Sequence, residues 1–133
     1  MRSGPRYAHT AIVAIAAASL VLTLWLVYNE ITNPPYCPRI FYIPACFIVS
    51  VAYTLVVVSE FIKKREANIL MYLIGAGMGA VLAVWFSFNH IAGLEPCPII
   101  LSIPMCYASL LACVILIVIK MILVHHDLSL SLR

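Results

Sequence analysis

Two stretches of the chain carry the same ten-residue pattern, CPRIFYIPAC at 37–46 and CPIILSIPMC at 97–106. Both read C-P-x-I-x-x-I-P-x-C, and a shift of 60 residues aligns them without a gap. The same shift aligns a tryptophan, an asparagine and an isoleucine upstream: Trp25 with Trp85, Asn29 with Asn89, and Ile31 with Ile91. The chain is therefore predicted to be a tandem repeat, with copies at 8–62 and 69–124.

The composition of the chain is typical of a membrane protein. Of its 133 residues, 65% are hydrophobic and 10% are charged, and the mean hydropathy is +1.09. Four apolar runs approach or exceed the roughly 20 residues that cross the hydrocarbon core of a bilayer: 8–28, 43–62, 69–89 and 99–124. Because lipid offers the backbone no hydrogen-bond partners, each run is predicted to be a helix. The fold class predicted for 1–133 is a single all-α integral membrane domain of four transmembrane helices.

The repeat also predicts how the helices are arranged. Each unit has two spans, so both copies insert in the same direction and their pseudo-twofold axis runs along the membrane normal. Proline suits the first turn of a helix, so the second helix of each unit is predicted to begin near Ile43 or Ile103. That start places Cys46 and Cys106 in the first helical turn.

A small-residue face is expected to hold two of the helices together. Gly75 and Gly79 form a small-xxx-small pattern in helix 3, a pattern that lets membrane helices approach closely. An alanine-rich stretch at 14–19 lies at the matching depth in helix 1. Helices 1 and 3 are therefore predicted to cross closely near the centre of the bundle.

The basic residues predict the orientation in the cell membrane. Seven of the eight Lys and Arg residues fall on one side of the predicted spans: Arg2, Arg6, Lys63, Lys64, Arg65, Lys120 and Arg133. The positive-inside rule makes that side cytoplasmic, with both termini inside and the cysteine loops extracytoplasmic. The net charge of +3 follows from this bias, so nothing indicates a nucleic-acid partner. Glu60 and Lys120 lie near the inner ends, where their side chains can snorkel to the surface.

Four of the five cysteines are predicted to form disulfides. Extracytoplasmic compartments allow disulfides to persist, and the identical spacing favours Cys37–Cys46 and Cys97–Cys106. Four cysteines allow three connectivities, so pairing across the repeats stays open. Cys113 has no counterpart in the first unit and is expected to be a buried apolar residue.

Two roles for these cysteine pairs stay open. A thiolate in the first turn of a helix is stabilised by the free N–H groups there, which makes it more reactive. On that basis the chain is predicted to exchange electrons between extracytoplasmic thiols, such as those of a soluble thiol protein, and a membrane quinone. Alternatively, two structural disulfides pin the helix ends of a non-catalytic accessory subunit in a larger membrane complex.

Other residues near the cysteine loops are candidates for ligand binding. Trp85, Phe88 and Asn89 lie within predicted reach of the loops and could contact a quinone. His90 and Met105, with the second cysteine pair, are a candidate site for a soft metal such as Cu(I). His90 is also interpreted as a helix cap or as a group that tunes a nearby thiol.

These features resemble the group of vitamin K epoxide reductases and bacterial disulfide-bond-formation quinone reductases. The resemblance covers the four helices, the inside termini, the outer cysteine pairs and the I-P step beside a cysteine. It implies that Cys46 or Cys106 is the thiol nearest the quinone and that Cys37 or Cys97 is its partner. The active pair of that group is C-x-x-C, whereas each pair here has eight intervening residues, closer to the group's loop or shuttle pair.

Overall fold

The computed structural model describes residues 4–132, with side chains from residue 6 onward. Within that range the chain forms four helices: α1 Gly4–Thr32, α2 Ala45–Ser59, α3 Arg65–Ile91 and α4 Met105–Ser131. A two-stranded hairpin precedes α2 and another precedes α4: β1 Arg39–Ile40 with β2 Ile43–Pro44, and β3 Ile99–Ile100 with β4 Ile103–Pro104. The prediction of a four-helix, all-α protein is confirmed. Arg2 and Arg133, two of the basic residues that predict the orientation, lie outside the described residues.

Three of the helices are long and apolar enough to cross a bilayer: α1, α3 and α4 each contain a 27-residue candidate span. The shorter α2 has 15 residues, or about 22 Å at 1.5 Å per residue. It is shorter than the predicted run at 43–62 because Ile43 and Pro44 pair in a hairpin, and because the chain turns after Ser59. The three long helices indicate a multi-pass membrane protein whose exposed apolar side chains contact lipid.

The packing of α3 differs from the prediction. In the structure α3 packs against α2 and α4, whereas the extensive contacts of α1 are with α2 and α4. A Cβ atom added to Gly75 would lie 2.7 Å from the Ala52 carbonyl oxygen of α2, and one added to Gly79 would lie 3.1 Å from Cys113 Sγ of α4. The predicted close crossing of α1 and α3 is wrong because the small-residue face of α3 is used against α2 and α4.

The centre of the bundle is an apolar core to which each helix contributes. Its fully buried members are Ile12, Ala16, Tyr53, Val56, Tyr72, Ala76, Cys113 and Leu116. Buried tyrosines need a partner for the hydroxyl group, and Tyr72 donates to the Leu116 carbonyl oxygen at 2.7 Å. Tyr53 lies 3.1 Å from Ser109 Oγ and 3.7 Å from Cys113 Sγ.

A polar cluster, here called the polar clasp, lies at the end of the bundle opposite the hairpins. It consists of the buried Glu60 and Lys120, the half-buried Asn68 and the exposed His9. Lys120 Nζ lies 2.6 Å from Glu60 Oε1 and 2.7 Å from Asn68 Oδ1. Glu60 Oε2 lies 3.0 Å from His9 Nε2. Glu60 and Lys120 do not snorkel to the surface in the structure, since both are buried and their charges pair with each other between the helices.

Candidate functional site

The two disulfides lie at the hairpin end of the bundle. Cys37 is bonded to Cys46 and Cys97 to Cys106, with Cα–Cα distances of 6.2 Å and 6.5 Å. The structure therefore contains the pairing within each segment, and no bond crosses between the segments. All four cysteines are at most 9% exposed. The remaining cysteine, Cys113, is a free thiol buried in the core.

A tight hairpin explains how cysteines nine positions apart meet. The turn residues Phe41 and Tyr42 have φ values of 46° and 71°, and Leu101 and Ser102 have 52° and 66°. Two-residue hairpins of this kind require positive φ at both turn positions. The hairpin folds the chain back so that the first cysteine lies beside the start of the helix.

The helices begin two residues later than predicted. α2 begins at Ala45 and α4 at Met105, each directly after a proline that lies in the second strand of the hairpin. Each first helical N–H donates across the hairpin to a proline carbonyl oxygen: Ala45 N to Pro38 O at 2.9 Å, and Met105 N to Pro98 O at 3.0 Å. The Ile-Pro residues therefore belong to the hairpin and not to the helix. Cys46 and Cys106 still lie in the first helical turn.

Each disulfide packs against residues of the other segment. Ala45 and Ile40 pack with Cys97 and Cys106, around the buried ring of Phe86. Reciprocally, Met105 and Ile100 pack with Cys37 and Cys46, beside Leu26. The 60-residue shift relates the members of these two clusters, since it aligns Ala45 with Met105, Ile40 with Ile100 and Leu26 with Phe86. The two hairpins therefore interlock at this end of the bundle.

An apolar cavity of about 70 Å³ lies between the two disulfides. Its lining includes Cys46 from the first pair and both Cys97 and Cys106 from the second, together with Phe86 and Met105. An apolar cavity of about 150 Å³ binds benzene. The cavity here has about half that volume, so even a ring of that size could enter it only if side chains moved. Met105 is suited to such movement because its side chain is unbranched and flexible. We call this space the axial cavity.

The aromatic residues predicted to contact a quinone point elsewhere. Trp85 and Phe88 are 59% and 68% exposed and line a shallow groove on the outer surface of α3. Asn89 is half-buried, and its carbonyl oxygen accepts the Leu94 N–H at 2.9 Å. The ring that lies beside the Cys97–Cys106 disulfide is that of Phe86, which is not among the residues predicted from the sequence. Its alignment with the apolar Leu26, next to the repeated tryptophan, is the signal that could have found it.

The candidate soft-metal residues are placed in different environments. The His90 ring packs edge-on against Tyr107 with 6.0 Å between ring centroids, whereas Met105 packs beside the first disulfide. Cys97 and Cys106 are bonded to each other, so neither offers a thiolate ligand in this state. Among the described residues, no three His, Cys, Asp or Glu side chains cluster as metal ligands would.

A buried carboxylate distinguishes the first cysteine pair from the second. The Glu30 side chain is 4% exposed, and its Oε2 accepts the N–H groups of Tyr36 at 2.6 Å and Cys37 at 2.8 Å. Its Oε1 lies 3.2 Å from Arg39 Nη2. Glu30 is not among the site residues predicted from the sequence. An acidic residue at the end of an apolar helix, with a lone basic residue in the next loop, is the signal that could have found it.

The second pair is surrounded by different polar groups. The 60-residue shift aligns Glu30 with His90 and Tyr36 with Pro96, and proline has no N–H to donate. Here the Cys106 N–H donates to Cys97 Sγ at 3.1 Å. Glu95 lies in the same loop, and its Oε2 is buried without a hydrogen-bond partner. The two segments thus have similar backbone conformations but differ in the polar groups around their sulfur atoms.

Comparisons with known proteins identify no relative of this chain. No protein-family model, no curated protein and no solved structure matches it. No family is therefore assigned, and the functional argument depends on the geometry of the two disulfides and the axial cavity.

Proposed function

We propose that the protein is a membrane thiol–disulfide redox protein that passes electrons from the thiols of an extracytoplasmic partner to a membrane quinone. The observation that supports this proposal is the position of the axial cavity. Three of its lining residues are disulfide cysteines, and the others are mainly apolar. If Met105 moved aside, a quinone ring in this space would lie directly against the sulfur atoms, close enough for electrons to pass between them.

The proposed chemistry is a balanced two-electron exchange. The dithiol of the partner reduces a disulfide of this chain by thiol–disulfide exchange and leaves as a disulfide. The new dithiol in this chain then loses two electrons and two protons as its disulfide re-forms. The quinone gains the same two electrons and two protons and leaves as a hydroquinone.

We also propose the repeat and the topology that the sequence predicts. Residues related by a twofold axis meet only near that axis. Two pairs 60 positions apart meet in the bundle, since Tyr53 lies 3.7 Å from Cys113 and Glu60 lies 2.6 Å from Lys120. These contacts support a pseudo-twofold axis along the bundle. The positions of the basic residues support the remaining part of the proposal, in which both termini are cytoplasmic and the disulfides are outside.

A second candidate function is that of an accessory membrane subunit with two structural disulfides. The observation that favours it is the burial of all four cysteines, none of which is more than 9% exposed. A partner thiol could attack such sulfur atoms only after the hairpins opened locally. A structural disulfide needs no such opening, because it stabilises the fold by restricting the unfolded chain.

Anaerobic reaction with a quinone tests the proposal. The full-length protein is placed in lipid nanodiscs, reduced with a dithiol, freed of excess dithiol and mixed with a short-chain benzoquinone. We expect one hydroquinone to appear for each disulfide that re-forms, as measured by absorbance and by thiol alkylation. Disulfides that resist the dithiol, or a reduced protein that leaves the quinone unchanged, would contradict the proposal and favour the structural subunit.

A cavity-filling variant tests the site itself. Met105→Trp fills the axial cavity without changing a cysteine, and we expect it to slow quinone reduction at least about tenfold because the ring can no longer enter. Met121→Trp is the matched control, since Met121 is 63% exposed on the lipid-facing surface of the same helix. Equal rates for the two variants would show that the quinone does not use this cavity.

A further inference from the structure

We infer that the two disulfides have different roles, with Cys97–Cys106 the pair that is reduced and reoxidised and Cys37–Cys46 a structural bond. This inference rests on the proposed redox function. The two cysteine pairs have the same spacing in the sequence, so a difference in their ease of reduction has to come from the groups around them. Those groups are the backbone donors, the nearby charges and the walls of the axial cavity.

The second pair has a hydrogen-bond donor directed at sulfur. The Cys106 N–H lies in the first turn of α4, where N–H groups have no partner within the helix, and it donates to Cys97 Sγ at 3.1 Å. When the disulfide is reduced, the same donor can stabilise a thiolate on Cys97, because a hydrogen bond to a charged acceptor is stronger than one to a neutral acceptor. A stabilised reduced form makes a disulfide easier to reduce.

Beside the first pair, the N–H groups of Cys37 and its neighbour donate to a buried carboxylate instead of to sulfur. Glu30 Oε2 accepts the Cys37 N–H at 2.8 Å and the Tyr36 N–H at 2.6 Å. A thiolate on Cys37 would therefore form beside a buried negative charge that already holds its neighbouring donors. Arg39, which is 47% exposed and 3.2 Å from Glu30, offsets part of that charge. The net effect disfavours the reduced form of Cys37–Cys46.

The second pair has no counterpart of the Glu30 carboxylate at the position 60 residues later. His90 stands where the first segment has Glu30, and Pro96 stands where it has Tyr36. Glu95 lies in the same loop, but its buried Oε2 has no hydrogen-bond partner among the described residues, so it does not take up the cysteine N–H groups as Glu30 Oε2 does. Both sulfur-bearing residues of the second pair line the axial cavity, whereas only Cys46 of the first pair does. The electrons of the proposed exchange would therefore pass through Cys97 and Cys106.

Separate measurement of the two disulfides in the wild-type protein tests the inference. Nanodiscs holding the full chain are equilibrated in dithiol buffers of graded potential, and peptide mass spectrometry after differential alkylation reports each pair. We expect the equilibrium constant for reduction of Cys97–Cys106 to be at least about tenfold larger, a difference of about 30 mV. On addition of a short-chain benzoquinone, we expect only this pair to be reoxidised during turnover.

The alternative results separate this inference from the proposed function. Reoxidation of Cys37–Cys46 by the quinone, or equal reduction of the two pairs, would overturn the inference and leave the redox function standing. Failure of the quinone to reoxidise either pair would overturn both. Glu30→Gln should reduce, several-fold, the ratio between the equilibrium constants for reduction of the two disulfides. Glu66→Gln is the control, because Glu66 is exposed and its replacement should leave that ratio unchanged. An unchanged difference in Glu30→Gln would contradict the role assigned to the carboxylate.

Discussion

The polar clasp makes a specific prediction about stability. Lys120→Met removes the Nζ group that lies 2.6 Å from Glu60 Oε1 and 2.7 Å from Asn68 Oδ1. The Glu60 side chain is 3% exposed, so its charge is left almost without solvent. Breaking a buried ion pair in this way costs about 3–5 kcal/mol. We expect about 3 kcal/mol, because His9, which is 52% exposed, remains 3.0 Å from the other carboxylate oxygen.

Removing both charges should cost less than the two single changes together. Glu60→Gln leaves the Lys120 ammonium with Asn68 and the Tyr72 ring, whose centroid is 4.6 Å away, so we expect a loss of about 3 kcal/mol here as well. In Glu60→Gln/Lys120→Met no buried charge is left uncompensated. We expect the double variant to lose only about 2 kcal/mol, which is a coupling energy of about 4 kcal/mol between the two residues.

Equilibrium unfolding in mixed detergent micelles measures these values. The free energy of unfolding is obtained for the wild type, the two single variants and the double variant under one set of conditions. Lys63→Met is the control, because Lys63 is exposed in the loop after α2, and its loss should change stability by less than about 0.5 kcal/mol. Additive losses in the double variant, or a loss below about 1 kcal/mol in Lys120→Met, would refute the proposed pairing.

Three further predictions use the same unfolding measurement. Gly75→Ala should cost about 1–3 kcal/mol, because its Cβ would lie 2.7 Å from a backbone oxygen of α2. Gly77→Ala, with nothing within 4 Å, should be neutral or slightly stabilising, and equal effects would contradict the packing described for α3. Tyr72→Phe should cost about 1 kcal/mol through loss of its buried 2.7 Å hydrogen bond; an unchanged stability would show that the bond contributes nothing. Phe41→Asn/Tyr42→Gly should stabilise the protein by about 1 kcal/mol, since both positions have positive φ, and a loss would mean that the bulky turn residues are needed.

Hydropathy predicted the helices well and their packing poorly. The apolar runs located four helices, because burial in lipid depends on composition and length. Hydropathy could not show that α2 begins at Ala45, since that start depends on the hydrogen bonds of the hairpin. Nor could it show which neighbour Gly75 contacts, because a small-residue face indicates close approach without naming the partner helix. Glu60 and Lys120 are 60 positions apart in the sequence, and the proposed twofold axis would bring such a pair together.

The cysteine pairs were predictable from their spacing, whereas their surroundings were not. Identical spacing in two segments favoured pairing within each segment, and the hairpins supply the geometry. The position of Phe86 beside the sulfur atoms depends on the rotation of α3, which weak amphipathicity does not determine. The role of Glu30 depends on the loop that folds back over its carboxylate. These tertiary details are the ones that make the two pairs unlike.

The redox state of the cysteines in native membranes tests the central proposal most directly. Membranes that carry the full-length protein are kept with their quinone pool either oxidised or fully reduced, supplied with a mild dithiol, and then quenched with acid and alkylated. We predict that free thiols at Cys97 and Cys106 accumulate when the pool is reduced and disappear when it is oxidised. Cysteines that remain disulfide-bonded in both states would contradict the redox account and identify both bonds as structural.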